Sequence, residues 1–438
     1  MRNYPSIGIQ VPDILLPKEG IDLSKWAVIA CDQFTSQPNY WKQVENIVGN
    51  LPSTYNLILP EAFLGKPEEN EHVKRTAIFM QKYITDGTLV QREGIVYIER
   101  TINEKVRRGL LLALDLEQYD YNKGSVSLIR STEGTILERL PPRIRIREKA
   151  TIELPHILVL IDDRENEVFD PLIQGKNKLA EIYNFELMLG SGQLRGYLVN
   201  DNKIEKQIIQ AFNDLANPEI FDRKYCVNKD TPILLFAVGD GNHSLATAKA
   251  VWEKMKPITG MSHPSRYALV EIVNIHDEGL DFEPIHRLLF NVRTDILINL
   301  HDYFWDNFEY KKYDKADDVT REVKNQKPRL HKIGLFQKAG QGIIQIKNQN
   351  TNLAVRTLQP FLDNLLQERK ADNIDYLHGD EILLKLSKQD RNIGFFLPTI
   401  EKKDLFKTVI LEGSLPRKTF SMGEAKGKRF YLECRNNK

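Results

Sequence analysis

Six consecutive residues, Gly239-Asp240-Gly241-Asn242-His243-Ser244, place a carboxylate between two flexible glycines and then an amide, an imidazole and a hydroxyl. The apolar run Ile233 to Val238 ahead of them reads as a buried strand, and Leu245, Ala248, Trp252 and Met255 behind them recur at helical spacing. Glycine adopts backbone angles closed to bulkier residues, so the segment predicts a sharp strand-to-helix turn, with Asn242 or Ser244 as the helix cap. Unpaired amides of residues 241 to 244 would then face outward at the positive end of the helix, a setting that suits phosphate or carboxylate, and Lys249 would add a full charge. Asp240 beside His243 can fix the imidazole tautomer. Either group can accept a proton from a substrate hydroxyl, and Asp240 can hold magnesium. A purely structural turn, in which Asp240 and Asn242 only satisfy backbone groups, stands beside this reading. Neither a Walker loop nor a dinucleotide-binding fingerprint is present, and no Gly-x-Ser-x-Gly elbow points to a serine hydrolase.

Other constellations are candidates to complete such a site. Between Ile129 and Arg147 lie Arg130, Arg139, Arg143, Arg145 and Arg147, around the small polar turn of Glu133 and the pair Pro141-Pro142. Arginine forks match phosphate oxygens, and Glu133 can act as a base or metal ligand; a solvated, salt-bridged strand edge is the alternative. Asp32 follows the apolar stretch Trp26 to Ala30, at a strand's carboxyl end, where open α/β sheets bind ligands. The neighbouring Cys31 has no activating partner close in sequence and reads as a core residue. His276-Asp277 and His286-Arg287 match no zinc spacing, which favours a structural or substrate-contacting role over a metal, and Arg287 can reach an anion. Lys418, in Pro416-Arg417-Lys418-Thr419, offers a second anion clamp or a solvated loop.

Positioning these residues requires a mixed α/β fold. Strands are expected at 94–100, 109–116, 126–129, 156–161, 233–238 and 267–275, and helices near 69–85, 204–216 and 244–255. After about residue 290 the pattern changes to helices near 295–304, 358–368 and 379–388, and the stretch 311–329 is highly charged with little apolar periodicity. Two regions follow from this: a main α/β domain over 1–290 carrying the site, and a C-terminal α+β region over 291–438. The 61 basic and 60 acidic side chains nearly cancel, so no overall field draws the chain to nucleic acid or a membrane surface. No apolar run reaches the ~20 residues of a membrane span. The start lacks a signal-peptide core, which predicts a cytoplasmic protein. Three scattered cysteines, Cys31, Cys226 and Cys434, suggest neither a disulfide framework nor a structural zinc. The oligomeric state is left open.

Taken in order, Val28-Ile29-Ala30-Cys31-Asp32, Arg130-Ser131-Thr132-Glu133-Gly134-Thr135, Gly239 to Ser244, Tyr376-Leu377-His378-Gly379 and Pro416-Arg417-Lys418-Thr419 resemble the bacterial family known as domain of unknown function 1015. Many relatives read Ala-Asp-Gly-His-His-Arg at the central turn; here Asn242 and Ser244 replace a His and the Arg. Phosphate charge must then come from elsewhere, such as Arg143, Lys249 or Arg287. The turn is also similar to the phosphate-binding turn of the ParB and sulfiredoxin superfamily, which includes kinases of free serine. That similarity implies a ParB/sulfiredoxin-like core within the mixed sheet. It also implies a phosphotransferase using ATP or ADP with magnesium on a small hydroxylated metabolite, free L-serine first. In that role Asp240, His243, Glu133 and Asp32 would be catalytic, and Gly239, Gly241, Asn242, Ser244, Lys249, Arg130, Arg143, Arg287 and Lys418 would hold phosphate or nucleotide. A nucleotide-sensing protein without catalysis and a phosphate-ester hydrolase are the alternatives.

Overall fold

The computed structural model describes residues 2–30, 34, 37–63, 65–327, 329–423 and 425–437. It divides into two compact units, residues 1–281 with 422–438 and residues 282–421. The sequence-based divide after residue 290 differs from this chiefly in the last seventeen residues, which return to the first unit.

The sheet of the first unit is built on β1 (Ile95–Ile102), β2 (Lys105–Asp115), β3 (Ile129–Ser131), β4 (Leu158–Ile161), β5 (Ala180–Glu186), β6 (Gln193–Val199), β7 (Phe236–Asp240) and β8 (Tyr267–Asn274). Their order is β5-β6-β1-β2-β8-β4-β7-β3. It is a mixed sheet: β4 runs parallel to β8 and β7 parallel to β3, whereas β4 and β7 are antiparallel. Alternation along the strands sends Leu110, Leu112 and Leu114 to one face and Leu111 to the other. Both faces are covered, which is why the central strands read as unbroken apolar runs. Helices in this unit include α1 (Glu69–Thr85), α2 (Leu140–Arg147), α3 (Asn202–Leu215) and α4 (Asn242–Thr259). Phe212 of α3 and Leu245, Ala248 and Trp252 of α4 bury against β4 and β7, with Met255 packed at the margin, so the predicted apolar face of α4 is the one that docks.

Two expectations change. The arginine-rich stretch 140–147 is a helix and not a strand edge, because Pro141 and Pro142 fall in its first turn, where a missing N–H costs nothing. The charged stretch 311–329 is mostly structured, since alternation and a strongly amphipathic helix bury Val319 and Val323 despite the charge around them. Strands β5 and β6 were not anticipated; they are polar on one side and pair as a hairpin at the sheet's edge.

The tail after 422 is tied into the first unit by buried charge. Phe430 and Tyr431 pair with Ile29 and Val28. Arg429, almost wholly buried, bonds Glu271 at 2.5 Å and also Glu433, while Arg435 bonds Glu153 at 2.6 Å. Removing one partner of such a pair would leave an uncompensated buried charge, so the tail is firmly held.

The second unit contains a sheet built on β9 (Phe282–Phe290), β10 (Phe308–Tyr313), β11 (His331–Gln337), β12 (Gly340–Ile346), β13 (Asn373–His378) and β14 (Ile393–Phe396), in the order β10-β12-β11-β14-β9-β13. Its helices include α5 (Ala354–Gln367) and α6 (Asp380–Ser387). Among the described residues, no helix is long and apolar enough to cross a membrane.

Candidate functional site

The turn after β7 forms as the sequence requires, although only one glycine does the conformational work. Gly241 has φ +78° and ψ 24°, in the left-handed region, and a Cβ there would lie 3.1 Å from the Cα of Ile157. Gly239 remains in the strand; its need is space, since a Cβ would meet Met422 Sδ at 2.7 Å. Gly241 itself occupies the cap position of α4, and neither Asn242 nor Ser244 caps the helix. Two of the four expected amide donors are already engaged: Gly241 N–H donates to Asp240 Oδ1 at 2.8 Å and Ser244 N–H to the Gly241 carbonyl at 2.9 Å. Asn242 is nine-tenths buried, and its Oδ1 meets no hydrogen-bond donor among the described residues. A buried amide oxygen left so is costly, and a polar ligand group or water would relieve it.

Asp240 is the electrostatic centre. Burial opposes its ionisation, yet Lys428 Nζ at 3.1 Å, the Gly241 N–H and the nearby His156 outweigh that and hold the carboxyl below its ordinary value. Lys428 is 8% exposed whereas Asp240 is 37% exposed, so the carboxylate, with its cation behind it, is the accessible partner. Glu133 comes alongside through strand pairing. Ser131 is in register with Val238 and the Thr132 N–H donates to the Val238 carbonyl at 3.2 Å, so the Glu133 loop leaves the sheet next to the strand that ends at Asp240. His243 Nε2 accepts the Ile136 N–H at 3.2 Å, which requires that nitrogen to be unprotonated and ties the Glu133 loop to α4.

One flank of the turn opens on a cavity of about 190 Å³. Leu57, Met80 and Ile146 form part of its apolar wall, and Arg143, His156, Ser244 and Tyr431 supply polar atoms. His156 Nε2 lies 2.6 Å from Ser244 Oγ, and its ring meets Tyr431 edge to face at 5.4 Å.

A family model described as "Protein of unknown function (DUF1015)" matches residues 15–365. The chain belongs to the DUF1015 family. Lys428 and Tyr431 of this DUF1015 protein lie beyond the matched span. No curated protein matches the chain significantly. Solved structures similar to it include a conserved hypothetical protein from Pyrococcus furiosus, 11% identical, covering 75% of this chain and 92% of that one with a TM-score of 0.35. A free serine kinase in complex with AMP is 10% identical over the same shares, with a TM-score of 0.39. SbnI with a C-terminal truncation, from Staphylococcus aureus, is 10% identical over 73% of this chain and 85% of that one, with a TM-score of 0.37.

Not every residue singled out in the DUF1015 sequence joins the turn. Arg130 points toward the other end of its strand, where its guanidinium donates to the carbonyls of Val126, Ser127, Pro232 and Ile233, and burial lowers its pKa to about 10. It holds loops and has no donor directed at the turn. Lys249 pairs with Glu253 at 2.5 Å and approaches Glu117 at 4.0 Å, on a flank of α4 that does not line the cavity. Arg287 is fully buried in the second unit, donating to Gln359 Oε1 and to the carbonyls of Ile285, Arg417 and Lys418 with Tyr376 against its face. It therefore braces the Lys418 turn within that unit, and a structural brace replaces the expected anion contact. Asp32 lies outside the described residues. Arg143 does line the cavity.

Lys428, His156 and Tyr431 escaped sequence reasoning. His156 precedes a strand that was read correctly, but nothing local linked it to Ser244, eighty-eight residues away. Nothing local linked Lys428 to Asp240, 188 residues away.

Proposed function

We propose that this DUF1015 protein is a nucleotide-dependent phosphotransferase acting on a small hydroxylated metabolite, with free L-serine the first acceptor to try and ATP or ADP the donor. The observation that carries this reading is an ionised carboxylate, Asp240, backed by Lys428 at the start of a long helix whose first turn, at Ser244, borders a cavity of about 190 Å³. Phosphoryl transfer asks little covalent chemistry of a protein; it needs cations around the phosphates and a carboxylate near the attacking hydroxyl. Lys428, Arg143 and the N-terminal turn of α4 supply the positive side. Glu133, on the loop that follows β3, or Asp32 would orient the acceptor hydroxyl.

Magnesium fits here in one way only. Among the described residues, no group of three or more His, Cys, Asp or Glu side chains could hold a metal. Asp240 retains lone pairs beyond its two hydrogen bonds, and a single carboxylate with the donor's phosphates and water is a usual magnesium environment. Asp240 would hold the ion, which would neutralise charge on the phosphates.

The test is incubation of the full chain with ATP or ADP, magnesium and serine, followed by a panel of hydroxy metabolites. Phosphorylated acceptor is expected, and Asp240→Asn should lose it without unfolding. Thermal stabilisation by nucleotide with no product formed from any acceptor would replace the enzyme with a nucleotide-binding protein.

A further inference from the structure

The hydroxyl of Ser244 behaves unlike its neighbours on α4. Thr247 Oγ1 and Thr259 Oγ1 donate to carbonyls one turn back, those of His243 and Met255, at 2.7 Å and 3.0 Å. That is the ordinary resting place of a helical hydroxyl. Ser244 Oγ instead stands 2.6 Å from His156 Nε2, and both side chains line the cavity of about 190 Å³. A hydroxyl within hydrogen-bond reach of an imidazole, open to a space for substrate, is the arrangement of an activated nucleophile and its base. It forms without the strained elbow that a serine hydrolase shows in sequence.

The surroundings decide which group such a serine would carry. Arg143 lines the same cavity, as do Arg147 and the Glu153 with which it is paired, and the serine sits in the first turn of an eighteen-residue helix. A neutral acyl ester would gain nothing from these positive charges, whereas a phosphate ester on a helix N-terminus beside arginine gains charge-assisted hydrogen bonds. We infer that Ser244 is a phosphoryl-accepting nucleophile, so that the protein passes through a phosphoserine at this position.

In the first half, Ser244 Oγ bonds to the donor's terminal phosphorus as the bridging P–O bond breaks. The departing group, a shortened nucleotide or a carboxylate according to the donor, keeps the electron pair and receives the hydroxyl proton by way of His156 Nε2. In the second half, an acceptor hydroxyl or water bonds to phosphorus, the Oγ–P bond breaks, and the acceptor's proton reaches Ser244 Oγ through His156. The donor class is a nucleoside polyphosphate or an acyl phosphate. This step rests on the reading that the pocket handles phosphoryl groups.

The experiment incubates the full chain with magnesium and ATP, ADP or acetyl phosphate, each radiolabelled at its terminal phosphate. Reactions are quenched in acid at intervals, and label is mapped by peptide and chased with unlabelled acceptor. Acid-stable label on Ser244 that disappears in the chase is expected. It should be absent in Ser244→Ala, partly restored in Ser244→Thr, and formed roughly a hundredfold more slowly in His156→Gln, with melting temperatures unchanged. Transfer to acceptor at the wild-type rate by Ser244→Ala would overturn the covalent step and leave the phosphotransferase reading standing. Label on Ser244 with no transfer to any acceptor would support the covalent step and remove the kinase. No label from any of the three donors would overturn the proposal.

Discussion

Two strand-glycine-helix turns in this molecule share their local pattern and differ in what lies around them. In the first unit, β7 ends at Asp240, Gly241 has φ +78°, and α4 follows; in the second, β13 ends at His378, Gly379 has φ +89°, and α6 begins with Asp380. Each helix starts without a side-chain cap, and each turn sets an aspartate 3.1 Å from a basic nitrogen, Lys428 Nζ in one case and His286 Nε2 in the other. His286 is wholly buried, its Nδ1 accepts the Leu397 N–H at 3.1 Å, and its ring stacks on Phe396. Both of its nitrogens serve the fold. At the first turn, His156 and Ser244 border a cavity, and the buried Asn242 Oδ1 meets no donor among the described residues. The pattern is shared, although Gly379, with ψ 138°, does not repeat the ψ of 24° at Gly241; what separates the two is that a cavity adjoins the first turn, whereas at the second Gly379 and Asp380 are exposed and the histidine is committed to the fold.

The comparison can be broken most severely at the tail that delivers Lys428. Arg429→Met strands Glu271 and Glu433 in the interior, and a loss of about 3–5 kcal/mol is expected by chemical denaturation, with turnover falling because Lys428 loses its anchor. Asp240→Asn should lower turnover by roughly a hundredfold or more, about 2.7 kcal/mol of transition-state stabilisation, with a smaller fall in melting temperature as the buried Lys428 loses its carboxylate; an unaltered rate would make this turn as structural as the other. His286→Leu should do the converse, costing about 1–3 kcal/mol of stability through the stranded Leu397 amide with turnover per folded molecule unchanged. Lys249→Ala, which removes an i,i+4 pair away from the cavity, should change stability by less than about 1 kcal/mol and leave nucleotide binding as it was.

The smallest effect is a pH dependence at the second turn. The hydrogen bond from His286, working against burial, holds Asp380 below its ordinary carboxyl pKa. A carboxyl depressed by folding adds stability above its unfolded value, near 3.9, and loses that contribution as pH falls through the folded value. Melting curves between about pH 3 and 5 should therefore fall slightly less steeply in Asp380→Asn than in the wild type. Asp240 carries the same sign, so nucleotide binding at the first turn should persist to pH values where a free carboxyl is half protonated.

Legibility differed by the kind of signal. The apolar face of α4, the turn before it and the strand ahead of it were readable because each depends on neighbours within a few residues, and Gly241 bears this out. Helix α2 was missed because a double proline in an arginine-rich stretch looks extended until one sees that both prolines occupy a first turn. Arg130 and Lys249 were read as free charge, and only packing revealed the carbonyls and carboxylates that engage them. Lys428 and His156 were invisible as partners because each meets the turn across a long stretch of chain.

By itself the sequence determined a mixed α/β fold, a strand-turn-helix at 236–259 and a carboxylate at its corner, since apolar periodicity and glycine are local constraints that act whatever the surroundings. Tertiary structure alone decided which charges reach that corner, which hydroxyl faces an imidazole and which look-alike turn has its histidine committed to the core. Those outcomes depend on desolvation and on contacts between distant segments, and neither is encoded in the spacing of adjacent residues.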